Sequence, residues 1–190
     1  MAPEPTTPPA HEEDRLRHVL GFVDGHVKFA ETKNAALFTA NAATIFAVIQ
    51  ILTGAHADGR VLRVYLVLLM AANVVSAVTA LLSFLPVTQL PWLKRPRRRA
   101  LGANLLFFGD VQQYDGRSYV DALLNALGAE PRASSAFERM LAGQVVVNAK
   151  IAAKKFTYFK IALWATLFGV LTPPIGAALL WWVIDQQPNA

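Results

Sequence analysis

Three long stretches of the chain contain no Asp, Glu, Lys or Arg, namely residues 34–57, 64–93 and 161–184. An α-helix needs roughly 20 consecutive, mostly apolar residues to cross the hydrocarbon core of a bilayer, and each stretch is long enough. A soluble domain would interrupt apolar runs of this length with charged residues. The sequence therefore predicts a membrane protein with three transmembrane helices.

The segment between the second and third apolar stretches has the opposite character. Residues 94–160 hold twelve of the eighteen basic residues and only five acidic ones. Five of the basic residues follow the second stretch at once: Lys94, Arg95, Arg97, Arg98 and Arg99. Such clusters mark the cytoplasmic side of a membrane. We therefore expect the N-terminus and this basic insert on the cytosolic side and the C-terminus outside.

The order of these features predicts an all-α membrane protein with a helical cytosolic insert between its second and third transmembrane helices. We expect the following segments: a disordered tail (1–10), a cytosolic amphipathic helix (11–34), transmembrane helix 1 (35–53), transmembrane helix 2 (60–85), the basic helical insert (86–159) and transmembrane helix 3 (160–184).

Two of these helices are expected to continue from the insert side into the membrane. No helix-breaking residue separates residues 11–34 from the first apolar stretch. Ser135 and Glu138 match a capping box, in which each side chain satisfies a backbone N–H of the other residue. The helix that starts there meets no breaker before Pro173 and should enter the third span. Pro173 and Pro174 predict a kink or break within it.

The remainder of the insert contains two shorter elements. Residues 101–111 (LGANLLFFGDV) form an apolar run closed by Gly-Asp, which fits either a short strand or an interfacial segment packed on the helices. Residues 117–127 have the pattern of a short helix, and Gly128 is expected to end it.

Polar residues within the spans admit two interpretations. Asn41 lies in the first span, and Asn73, Ser76 and Thr79 lie in the second. They could form hydrogen bonds between helices, which is the commoner use of such residues. Alternatively, the residues of the second span keep three- and four-residue spacing and could line a pore. No ionisable residue lies within a span, so a proton relay or a gating charge has no candidate.

The insert offers candidate ligand contacts. Gln144 and Asn148 are one helical turn apart, on a face that also carries Lys155, and amides beside a cation suit a polar ligand with a phosphate. Lys150 and Lys154 have a simpler interpretation, because lysines near a membrane extend their charges towards water. The Lys94–Arg99 cluster suits contact with anionic lipid. Nucleic-acid binding is not expected, because this cluster adjoins the membrane.

Enzyme chemistry has no support in the sequence. There is no cysteine, and the four histidines are scattered without a metal-binding pattern. The chain has no Ser/His/Asp set, no plausibly spaced carboxylate pair and no phosphate-binding glycine loop. We therefore expect no enzymatic activity, no metal site and no cofactor.

Three stretches together resemble a known family. They are residues 29–37 (FAETKNAAL), 104–110 (NLLFFGD) and 144–156 (QVVVNAKIAAKKF). In this order, and with two spans between the first and the second, they resemble the transmembrane effector family of Pycsar antiphage systems (the PycTM type). The resemblance covers roughly residues 22–182.

The resemblance implies a role in antiviral defence. In these systems a partner cyclase senses phage infection and makes a cyclic nucleotide, typically a cyclic pyrimidine monophosphate. The effector then impairs the bacterial inner membrane, which causes abortive infection. We expect a homo-oligomer in that membrane. Together with the insert lysines, the family pattern singles out these candidate ligand-binding residues: Glu31, Lys33, Asn34, Phe108, Asp110, Gln144, Asn148, Lys150, Lys154 and Lys155.

Two other functions remain open from the sequence. The chain could be a constitutive channel or pore that a nucleotide or partner protein holds shut. It could also be a non-catalytic membrane anchor that docks a soluble partner on its basic insert. A transporter has little support, because there is neither an internal repeat nor a charge at mid-membrane.

Overall fold

A computed structural model describes residues 10–54, 59–85, 103–128 and 133–185. The predicted tail (apart from its last residue) and the basic cluster Lys94–Arg99 lie outside these residues. The described part of the chain is all-helical, as predicted. Its helices are α1 (Ala10–Thr53), α2 (Arg60–Leu82), α3 (Phe108–Val111), α4 (Gly116–Ala126) and α5 (Ala136–Asp185).

Three of these helices are long and apolar enough to cross a membrane, which confirms an all-α fold with three candidate membrane-spanning helices. The sides of the membrane on which the insert and the two termini lie stay a prediction. Helix α1 has 44 residues and runs without interruption from the amphipathic segment through the first apolar stretch. Helix α5 has 50 residues and likewise includes both the end of the insert and the third stretch. The predicted continuity of both helices is therefore confirmed.

The expected break at the two prolines is wrong. Helix α5 continues through Pro173 and Pro174 to Asp185. Proline removes one backbone hydrogen bond, but helices in membranes tolerate this loss, because neighbouring helices and side-chain hydroxyls can satisfy the freed carbonyl groups. A kink without a break stays a prediction.

The segment around NLLFFGD forms no strand, so that alternative is wrong. Asp110 accepts a hydrogen bond on Oδ2 from the backbone N–H of Asn104, over 2.9 Å. Asn104 in turn accepts on Oδ1 from the N–H of Leu106, also over 2.9 Å. Side chains of this kind fold a turn by competing with the backbone pairing of a sheet. The turn leads into the short helix α3.

Both predicted local signals at helix ends are confirmed. Ser135 Oγ accepts from the backbone N–H of Glu138 over 3.1 Å, and Glu138 Oε2 accepts from that of Ser135 over 2.6 Å. Gly128 follows α4 with a φ of +67°, a left-handed conformation that glycine adopts without strain. A second capping box, between Asp115 and Ser118, begins α4.

The chain divides into two compact units. The insert unit comprises Met1–Ala30 and Pro86–Phe156, and the span unit comprises Glu31–Leu85 and Thr157–Ala190. The boundaries fall within α1 and α5, so each of these helices belongs to both units.

The insert unit has a continuous apolar core. Helix α1 contributes Leu16, Val19 and Val23, which recur at three- and four-residue spacing in the predicted amphipathic helix, and each is buried. The other buried members of this core come from α3, the turn after it, α4 and α5: Val111, Tyr114, Tyr119, Val120, Leu123, Leu124, Ala142, Val145, Val146 and Ala149. Leu127 follows α4 and is exposed.

The span unit packs small residues inside and exposes large apolar ones. Ala77, Ala80 and Ala162 are buried. Large side chains such as Phe46, Leu68 and Phe168 are more than 60% exposed. A soluble protein would bury such residues, whereas small residues let membrane helices approach closely. This distribution suits a bundle whose outer surface contacts lipid.

Candidate functional site

The span unit contains a buried cluster of polar groups from three helices, which we call the span node: Asn41, Ser76, Thr166 and the carbonyl of Ala162. Asn41 donates from Nδ2 to Ser76 Oγ over 2.7 Å. Ser76 donates to the carbonyl of Ala162 over 2.7 Å. Thr166 Oγ1 lies 2.9 Å from Asn41 Oδ1, to which it can donate. The node therefore connects α1, α2 and α5 by side-chain hydrogen bonds.

The other predicted residues of the spans are placed differently. Asn73 is buried, and its Nδ2 donates to the carbonyl of Leu69 over 2.8 Å. Its Oδ1 is buried without a hydrogen-bond partner among the described residues. Among the described residues, the Thr79 hydroxyl donates within its own helix, to the carbonyl of Val75. Pro173 is half-buried, while the side chain of Pro174 lies outside the description.

The geometry of Asn41 and Ser76 is the one expected for hydrogen bonding between helices, the first of the two interpretations of these polar residues. Asn73 is buried as well. A pore-lining role for Asn41, Asn73, Ser76 and Thr79 stays a prediction.

The insert unit contains an open groove of about 420 Å³ between α1 and α5, which we call the insert groove. Helix α1 lines it with residues at positions i, i+3, i+4 and i+7, and α5 with residues at i, i+3 and i+7. The lining residues are Arg17, Leu20, Gly21, Asp24, Leu141, Gln144 and Asn148. Two predicted ligand residues, Gln144 and Asn148, thus share a concave site.

The polar groups of the insert groove are held by neighbours. The guanidinium carbon of Arg17 lies 5.3 Å from the ring centroid of Phe137, a cation–π contact. Asp24 pairs through Oδ2 with Lys28 Nζ over 3.0 Å. Gln144 donates from Nε2 to Asn148 Oδ1 over 3.1 Å. A cation, a carboxylate and two amides are therefore presented along one groove.

Phe108 and Asp110 have structural contacts of their own. Phe108 stacks on Phe156 with ring centroids 5.0 Å apart, and it also contacts His26. Asp110 holds the turn through Asn104. Tyr119 donates from its hydroxyl to the carbonyl of Leu105 over 2.8 Å, which fixes the same turn to α4. These contacts account for much of the NLLFFGD stretch without a ligand.

The predicted lysines of α5 do not lie in the insert groove. Burial lowers the pKa of Lys150, and the nearby carboxylate of Asp115 partly offsets this effect. Lys154 is half-buried, and Lys155 is buried.

The remaining predicted ligand residues, Glu31, Lys33 and Asn34, belong to the span unit. Lys33 Nζ lies 5.4 Å from the ring centroid of Phe159. Asn34 is fully buried.

Sequence reasoning missed Arg17, Asp24 and Thr166. Arg17 and Asp24 belong to the predicted amphipathic helix, where charged residues are expected on the polar face whether or not they bind a ligand. One signal could have pointed to them. Gly21 lies between them in the middle of a helix, where glycine costs about 1 kcal/mol relative to alanine.

Two comparisons with known proteins match the same family. A family model with the description "PycTM: Pycsar effector protein domain" matches residues 15–182. The Pycsar effector protein RsPycTM from a Rhizobium species is 30% identical over 165 residues, which covers 81% of this chain and 89% of that protein. No solved structure matches the chain.

Proposed function

This chain belongs to the Pycsar effector protein family (PycTM), and on that premise we propose that it is a membrane-impairing antiphage effector triggered by a cyclic nucleotide. Membership implies a role in antiphage defence and activation by a nucleotide from a cyclase. The observation that carries the proposal is the family match, which extends over residues 15–182 and so includes the insert and all three candidate spans.

The proposed mechanism uses the two helices that belong to both units. Nucleotide binding in the insert unit would favour one arrangement of α1 and α5 over another. Since each helix continues into the span unit, such a change would alter the packing around the span node and impair the membrane. A ligand shifts this equilibrium only as far as it binds one arrangement more tightly than the other.

The location and assembly are part of the same proposal. The protein would lie in the bacterial inner membrane, with the insert in the cytosol where a cyclase releases its product. It would act as a homo-oligomer and without catalysis. The three candidate spans support a membrane location. The polar residues of the span node would be the groups to move or become hydrated on activation.

The experiment compares membrane potential in bacteria that express the protein with and without an active Pycsar cyclase. A potential-sensitive dye reports depolarisation after phage infection. We expect depolarisation only when both proteins are present and the cyclase is intact. A cyclase variant that lacks its catalytic metal ligands is the matched control.

Two other outcomes would contradict the proposal. Equal depolarisation with and without the cyclase would indicate a constitutive pore. Absence of depolarisation under both conditions, together with intact phage protection, would indicate a membrane anchor that acts through a soluble partner.

A further inference from the structure

The insert groove presents a cation, a carboxylate and two amides, and the proposed mechanism assigns no role to these groups. We infer that it binds a cyclic nucleoside monophosphate, with Arg17 facing the phosphate and the amides of Gln144 and Asn148 facing the base. This inference rests on the proposed function for the class of ligand, and on the groove itself for the site and the role of each residue.

Arg17 is suited to the phosphate. Its guanidinium lies against the Phe137 ring and is exposed at the groove. A cation–π contact favours positions of the guanidinium near the ring and leaves its N–H groups available for an anion. A guanidinium presents these donors in a fork that matches two phosphate oxygens. The contact with Phe137 thus prepares Arg17 to bind an anion.

The charges of the groove give the ligand a direction. Arg17 and Asp24 are seven residues apart on α1, about 10 Å along the helix axis. A phosphate is attracted to the Arg17 end more than to the Asp24 end, where a carboxylate is paired with Lys28. The Asp24 carboxylate can still accept a hydrogen bond from a neutral donor at the far end of the ligand, such as an N–H group of the base. The two ends of the groove therefore suit the two ends of one nucleotide.

The opposite wall supplies the groups that recognise a base. Gln144 and Asn148 each carry an amide with two donors and one acceptor oxygen. In the structure they bond to each other, at 3.1 Å, which leaves further donors and acceptors on both. Paired amides complement the alternating carbonyl and N–H groups at the edge of a base. Leu20 and Leu141 add apolar surface for its faces.

Gly21 keeps the groove open. A Cβ added at this position would meet no atom of the described residues within 4 Å, so their packing does not require glycine here. Glycine weakens a helix, so its presence in the middle of α1 otherwise lacks a reason. A side chain at position 21 would occupy the groove itself. Gly25 also meets nothing within 4 Å but does not line the groove, and nothing in the structure explains it.

These two glycines provide a matched test. Gly21→Leu fills the groove, whereas Gly25→Leu adds the same side chain to the same helix one turn away. Both changes replace a glycine in open space, so both variants should fold. The test uses the full chain in a maltoside detergent, which carries no phosphate that could occupy the site. Binding of cyclic UMP, cyclic CMP and cyclic AMP is measured by calorimetry.

A second pair of variants removes a charge instead of filling the groove. Arg17→Gln takes the cation out of the groove, and Arg15→Gln removes an equally exposed cation from the same helix outside it. For the nucleotide that the wild type binds, we expect Gly21→Leu and Arg17→Gln each to weaken affinity by about tenfold or more, because a charge-assisted hydrogen bond or the space itself is lost. Gly25→Leu and Arg15→Gln should change affinity by less than about twofold, because neither position lines the groove.

The outcomes separate the inference from the proposed function. If the wild type binds a cyclic nucleotide and both groove variants bind it equally well, the insert groove is not the site, and the proposed function stands. If the wild type binds none of the three nucleotides, direct activation by these nucleotides fails and the inference fails with it. Loss of binding in the groove variants alone supports the assignment.

Discussion

Asn41 on α1 donates a hydrogen bond to Ser76 on α2 over 2.7 Å, at a position where both side chains are buried within the span unit. Ser76 in turn donates a hydrogen bond to the carbonyl of Ala162 on α5. One serine hydroxyl therefore accepts from one helix and donates to another. Since the surrounding residues are apolar, this small set of bonds distinguishes one packing of the three helices from others.

Ser76→Ala should destabilise the span unit. The change removes the acceptor of Asn41 and the donor to Ala162 at once. Hydrogen bonds between helices in membrane proteins contribute about 0.6 kcal/mol on average and up to about 1.7 kcal/mol. We expect a loss in this range, measured by unfolding in mixed micelles. In cells, the variant should depolarise the membrane at a lower cyclase level than the wild type.

Thr79→Val is the matched control for Ser76→Ala. Thr79 lies on the same helix, but its hydroxyl bonds only to the carbonyl of Val75 within that helix. We expect wild-type stability and a wild-type response to the cyclase. If Thr79→Val and Ser76→Ala behave alike, the hydrogen bonds of the span node do not hold the resting arrangement.

Gly169→Val should loosen the contact between α5 and α2. A Cβ at position 169 would lie 2.7 Å from Cβ of Ala72, closer than side-chain carbons approach each other. Overpacking of this kind typically costs about 1–3 kcal/mol. Gly176→Val, at a position of the same helix where a Cβ meets nothing within 4 Å, should change stability little. Unfolding in micelles measures both.

Ala72→Gly tests the same contact from the other side. Removal of the Ala72 methyl group should restore part of the stability lost in Gly169→Val, although glycine itself weakens α2. Additive effects of the two substitutions would show that the clash lies elsewhere.

The extent and continuity of the long helices were predictable from sequence, because they follow from local rules. The uncharged runs predict the spans, and the absence of helix-breaking residues predicts the continuity of α1 and α5. The Ser135–Glu138 capping box marked the start of α5. The predicted break at Pro173 and Pro174 was wrong, because it followed from local backbone rules alone. A long apolar helix in a membrane can tolerate the backbone hydrogen bonds that proline removes.

The contacts between helices were not predictable in the same way. Thr166 is one of three threonines in α5. Its bond to Asn41, which lies 125 positions earlier, depends on how α1 and α5 are rotated. Asp110 is a second example. Its carboxylate accepts from the N–H of Asn104, six residues earlier, while its predicted contact with a ligand stays a prediction. Sequence spacing alone does not distinguish these uses of a polar side chain.

Gly116→Ala should destabilise the insert unit. A Cβ at position 116 would lie 2.9 Å from Cα and 3.0 Å from the backbone N of Gly143, and a backbone cannot move aside as a flexible side chain can. We expect a loss of about 1–3 kcal/mol. Gly143→Ala is the control, because its own Cβ would point into open space and should slightly stabilise α5. Equal stability of the two variants would contradict the close approach of α4 and α5.

Tyr119 should make the stability of the insert unit depend on pH in the alkaline range. Burial, with a smaller contribution from nearby Tyr114, raises the pKa of Tyr119 to about 12. The unfolded chain loses this proton at about pH 10, whereas the folded chain keeps it to about pH 12. The stabilisation is therefore fully present below pH 10 and is lost as the pH rises towards 12.

Tyr119→Phe should remove both this dependence and the hydrogen bond to the carbonyl of Leu105. At about pH 9 the variant should be less stable than the wild type by about 1 kcal/mol, the usual net contribution of one hydrogen bond. Between about pH 10 and pH 12 the difference should shrink and then reverse, because only the wild type then loses stability through this group, and a pKa raised from 10 to about 12 outweighs one hydrogen bond. Thermal unfolding in detergent across this range measures the effect. A constant difference between the two proteins would mean that Tyr119 ionises as readily in the folded chain as in the unfolded one, and that its burial at the turn after Asn104 does not protect its proton.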